Sequence, residues 1–133
     1  MNRPFLTIEP VWQDNQIVEI RVTAETEHFS GRANAYSTYK ALREFANALK
    51  GFPRSPTARH TFDTGAGQGS FAVSFSCAGS VGYIAVAAKI REQSQEVQLE
   101  FVAEPAAIDR FHSSLLRMCT TESGVAELEG VIA

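Results

Sequence analysis

Three consecutive segments between Phe71 and Ala103 alternate apolar and polar residues, and their alternations agree with one another. Phe71, Val73, Phe75 and Cys77 are interleaved with Ala72, Ser74 and Ser76. Ile84, Val86, Ala88 and Ile90 come next, followed by Val97, Leu99, Phe101 and Ala103. A period of two marks a strand with one face in a core. Ala78-Gly79-Ser80 and Gln93-Ser94 turn the chain between the segments. Setting Ile90 opposite Val97 places Ala88 against Leu99 and Val86 against Phe101, so the apolar residues share one face. This mutual agreement commits the second half of the chain to an antiparallel meander.

The first half is read around that frame. Phe5–Trp12 and Ile17–Glu27 are rich in β-branched and aromatic residues, and Gln13–Gln16 turns the chain between them. With Trp12 opposite Val18, one face collects Leu6, Ile8, Trp12, Val18, Ile20, Val22 and Ala24. The other face pairs Glu9 with Arg21 and Thr7 with Thr23. A slip of one residue would carry charges into the core. Phe29–Ala35 reads as a third strand whose Gly31 and alanines imply close packing or an edge. Ser37 is placed as the N-cap of a helix over Thr38–Lys50, with Leu42, Phe45, Ala46 and Leu49 on its apolar stripe and Gly51 closing it. A short strand is expected at Arg59–Asp63. Pro105 opens a second helix that ends near Thr120, with Ile108, Phe111, Leu115 and Met118 on one stripe. The tail, Glu122–Ala133, is weakly patterned.

The expected fold is therefore α+β. It has a mostly antiparallel sheet of about six to seven strands, two amphipathic helices on one face, and the order β-β-β-α-β-β-β-β-α. No internal repeat, low-complexity run or linker is visible, so residues 1–133 read as one domain. A length of 133 residues with 44% hydrophobic content suffices for a buried core. The net charge is −3 and no basic cluster stands out, which argues against a nucleic-acid partner. No segment has the length of a membrane span and no signal peptide is seen, so a cytoplasmic location is expected. Cys77 and Cys119 then read as free thiols. No metal-ligand spacing occurs, and neither a metal nor a cofactor is expected.

The chemistry-bearing strings are few. Phe62-Asp63-Thr64-Gly65-Ala66 resembles the Asp-Thr-Gly loop of aspartic proteases. There two carboxylates share a proton and act as base and acid on a water. With a single copy, Asp63 would meet its twin only in a homodimer, with Thr64 buttressing the loop and Gly65 allowing its turn. The strand and helix that should follow in such proteases are missing. Otherwise Asp63 and Gly65 are ordinary turn formers. Gly65-Ala66-Gly67-Gln68-Gly69 has the look of a phosphate cradle, the basis of a small-ligand reading, yet a strand and no lysine follow it. His28, His60 and His112 stand apart and read as surface or satisfied structural residues. Tyr36, Tyr39 and Arg43 are the candidate partner-binding residues, since aromatics and arginine dominate recognition surfaces.

The order of parts resembles a known group. A β-hairpin leads to Phe29-Ser30-Gly31, and then to a helix, Tyr39-Lys40-Ala41-Leu42-Arg43-Glu44-Phe45-Ala46-Asn47-Ala48-Leu49, closing on Phe52-Pro53. A strand meander ends in Val102-Ala103-Glu104-Pro105 and a helix. Over Phe29–Phe111 this is similar to small bacterial proteins that include the WapI-type immunity proteins of polymorphic toxin systems. The resemblance implies a non-enzymatic protein-binding domain that neutralises a toxin partner by occlusion. It assigns no functional residue. The alternatives are the homodimeric peptidase on Asp63 and a small-ligand binding protein.

Overall fold

The structure is a computed structural model that describes residues 3–79 and 82–132. Ser80 of the expected turn, Val81 and both chain ends of the expected domain lie outside the described residues. The elements run β1 (Phe5–Gln13), β2 (Val18–Glu25), β3 (Ser30–Ser37), α1 (Tyr39–Ala48), β4 (Arg59–Asp63), β5 (Gly69–Ala78), β6 (Tyr83–Glu92), β7 (Gln95–Ala103), α2 (Pro105–Thr121) and β8 (Ala126–Glu129). The class is α+β, with the expected helix count and order. Among the described residues the strands number eight. They divide into two antiparallel sheets, sheet A in the order β3-β2-β1-β8 and sheet B in the order β4-β5-β6-β7.

The meander forms in the register its alternation demands: Ile90 faces Val97, Ala88 faces Leu99 and Val86 faces Phe101. In sheet A, Thr7 faces Thr23 and Glu9 faces Arg21, also as expected. Beyond Pro10 that register breaks. A bulge at Val11 sets Trp12 opposite Glu19 instead of Val18, so Trp12 leaves the core face and is 50% exposed. An unpaired extra residue inverts the facing of everything after it. Pro10 fits this site because β8 pairs with β1 only over Phe5–Ile8, so no neighbour needs an N–H there.

Two further differences concern element ends. The N-cap of α1 is Thr38, whose hydroxyl accepts from Ala41 N at 3.0 Å; Ser37 is still paired with Val18 in β3. The tail is not patternless, since Ala126 and Leu128 bury one side of β8 beside β1. Helix α2 begins at Pro105 and stops where Glu122 turns left-handed at φ 55°.

The topology contains a repeat that the sequence does not display. β1-β2-β3-α1-β4 and β5-β6-β7-α2-β8 follow the same plan, a meander, a helix and a closing strand. Each closing strand joins the other unit: β4 pairs with β5, and β8 pairs with β1.

One hydrophobic cluster draws on both sheets and both helices. Phe45 of α1 is its hub, stacked on Phe62 at 4.5 Å and lying 5.9 Å from Phe75 and 6.0 Å from Phe111. Each such buried ring contributes roughly 1.5–3 kcal/mol relative to exposure. At the corner where the sheets meet, β3 lies against β5, β6 and β7. A Cβ at Gly69 would overlap the Asn34 carbonyl oxygen, and one at Gly31 would overlap Val97. The two glycines permit this approach, which brings the β4–β5 loop beside the outer face of sheet A.

Candidate functional site

The surface with the most recognition chemistry is the outer face of sheet A next to that corner. Val18 and Ile20 point inward, so Glu19 points out; Ala35 points inward, so Tyr36 points out. Trp12 faces Glu19 and Glu19 faces Tyr36. Cross-strand partners share a face, so Trp12, Glu19 and Tyr36 form a row across three strands, an aromatic on either side of a carboxylate. Tyr36 is 56% exposed.

Beside this row lies a cleft of about 360 Å³, bounded by Glu19, Asn34 and Tyr36, by the loop Ala66–Gly69, and by Glu92 at the end of β6. Asn34 joins its two carboxylates. The side-chain amide donates to Glu19 Oε2 at 2.9 Å, and the backbone N–H donates to Glu92 Oε1 at 3.0 Å. The next row holds Glu9 and Arg21, paired with each other at 3.5 Å. No lysine or arginine lines the cleft among the described residues. Its charged lining residues are the two carboxylates, Glu19 and Glu92.

Of the three candidate binding residues, only Tyr36 stands on this face. The Tyr39 hydroxyl donates to Gln13 Oε1, and Gln13 Nε2 donates to Glu122 Oε1 at 2.7 Å. Burial first, and the Glu122 charge second, raise the pKa of the Tyr39 phenol, which keeps it a donor. Arg43 is exposed and donates from Nη2 to the Cys119 carbonyl at 3.4 Å. Tyr39 and Arg43 thus tie α1 to the end of α2.

Asp63 ends β4 in an exposed position, and its Oδ1 accepts from Gly65 N at 2.7 Å. The Thr64 hydroxyl accepts from Phe71 N at 3.0 Å, and Thr64 N donates to the Phe71 carbonyl at 2.9 Å. The Asp-Thr-Gly string therefore builds the loop that borders the cleft, with Gly65 at φ 85°. Among the described residues no cluster of three His, Cys, Asp or Glu groups could hold a metal ion. His28 is exposed near Glu27. His112 Nδ1 donates to the Ala46 carbonyl at 2.7 Å, which makes it the satisfied histidine. His60 differs, because its Nε2 is buried with no partner. Cys77 and Cys119 are free thiols, and burial raises the pKa of Cys119 against the opposing influence of Arg43.

Sequence reasoning missed Glu19, Asn34 and Glu92 as site residues; Trp12 counts there among the aromatics that could be exposed, but the expected hairpin register set it on the core face. Pro10 inside a strand pattern was the available signal for the bulge that exposes Trp12. Nothing local foretells that Glu92 meets Asn34, because the sheets must pack first. Among the described residues no helix is long and apolar enough to cross a membrane. Comparison with protein-family models, with curated proteins and with solved structures finds no match.

Proposed function

We propose that this chain is a non-catalytic protein-binding domain whose recognition surface is the outer face of sheet A around Trp12 and Tyr36. The observation that carries the reading is the pair of large aromatics left exposed on either side of β2, flanking a carboxylate. Side chains of this kind supply most of the binding energy at protein interfaces. Residues committed to local structure elsewhere, Asp63 and Tyr39 among them, support it indirectly. In its more specific form, the chain is a bacterial cytoplasmic immunity protein that occludes a toxin. That form rests on the sequence resemblance.

The test uses the tagged chain as bait in lysate of its own host. The expected result is a stoichiometric partner that both Trp12→Ala and Tyr36→Ala lose, while each variant keeps its melting temperature to within about 2 °C. A partner retained by both variants, or a large drop in melting temperature, would overturn the assignment of this face.

A further inference from the structure

We infer that the row Trp12–Glu19–Tyr36 receives one arginine side chain of the partner, with the guanidinium lying over Glu19 between the two rings. The inference rests on the protein-binding reading and names the chemistry of its partner. Strand spacing sets the α-carbons of Trp12 and Tyr36 about 10 Å apart, with Glu19 midway. A cation above Glu19 then lies about 5 Å from the strand on either side, within the roughly 6 Å over which an aromatic ring attracts it.

The carboxylate is held for this task. Asn34 occupies Glu19 Oε2, and Glu19 Oε1 has no hydrogen bond or ion pair among the described residues. The same is true of Glu92, whose Oε1 is taken by Asn34 N. Two ordered carboxylates thus keep accepting capacity directed at one small region. Three of the chain's own nearby cations are engaged elsewhere: Arg21 with Glu9, Lys89 with Glu96, and Arg91 with the Gln93 carbonyl. Arg32 stands two rows along from Glu19, opposite Thr23, and lines the neighbouring cleft with Glu92, so Glu19 is the carboxylate farther from it.

Guanidinium fits better than ammonium. It is flat, so it stacks on aromatic faces, and its fork meets a carboxylate with two N–H groups. It is also more weakly hydrated, so less is lost when rings replace water around it. The neighbouring loop offers small groups at Ala66, Gly67 and Gly69 beside Gln68, and the cleft of about 360 Å³ leaves space for the aliphatic arm.

Trp12 is the chain's one tryptophan, so its fluorescence reports on this face directly. The probes are end-blocked Gly-Arg-Gly and its neutral isostere, Gly-citrulline-Gly. The arginine peptide should change the emission saturably, with a roughly millimolar midpoint suited to a single contact. The citrulline peptide should bind at least about tenfold more weakly, since it lacks the charge that ring and carboxylate attract. Glu19→Gln and Tyr36→Ala should each weaken the arginine response at least about fivefold, because each removes one of those partners. Glu100→Gln, an exposed change on β7, should leave it unaltered. Equal responses to the two peptides, or no response to either, would overturn the inference. Its failure is separable from that of the parent reading: a captured protein that is lost in Trp12→Ala but unaffected by Glu19→Gln would keep the binding face and discard the arginine.

Discussion

His60 shows what one side chain can cost at the wrong pH. Its ring lies 5.8 Å from Phe45, and its Nε2 is buried without a partner. Desolvation therefore holds its pKa below the ordinary histidine value. The unfolded chain takes up a proton as pH falls through about 6.5, before the folded one does. Stability from this site is fully present above that pH and declines below it, until the folded pKa is reached. The urea midpoint should fall between pH 7.5 and 5.5, and His60→Phe, which keeps an aromatic ring at that position but cannot titrate, should flatten the fall. An unchanged slope in the variant would refute this assignment. The sequence put His60 in the right strand but not in this state, because burial of one ring nitrogen depends on where Phe45 of α1 comes to rest. Trp12 failed in the opposite sense. Its apolar character pointed inward, and one unpaired residue at Val11 turned it out.

At the scale of elements, the periodic segments were the legible ones. β6 and β7 formed in the expected register, with β5 as the expected third strand beside them, because a slip of one residue would put polar groups in the core. Helix stripes were equally plain, and the cap moved by one residue because β2 holds Ser37 in a strand. β8 escaped notice because four residues give only two apolar positions, and their partners lie on β1. Its contribution is nonetheless large. Leu128 is fully buried, so Leu128→Ala should cost about 2–5 kcal/mol in chemical denaturation. Glu127→Ala, on the exposed side of the same strand, should change stability by less than about 0.5 kcal/mol. Similar losses for the two would mean that β8 is not docked as described.

The whole molecule depends on two sheets meeting at a corner that only glycine allows. Gly69→Ala would drive a methyl into the backbone of Asn34, and should cost about 2–3 kcal/mol as the sheets part. At Gly67 the added carbon would lie 3.3 Å from the Gly69 carbonyl oxygen, so Gly67→Ala should be much milder. Comparable urea midpoints for the two variants would contradict the close approach. Neither the corner nor the division into two sheets was visible in the sequence, since pairings such as Phe5 with Glu129 leave no local pattern. The reciprocal exchange of closing strands also sets an order of assembly. As the chain leaves the ribosome, sheet B has all its strands once Ala103 has emerged. Sheet A, although it begins first, must wait for β8. Until then β1 presents an open edge to every neighbouring nascent chain. The part of the protein made first is therefore the last to be finished.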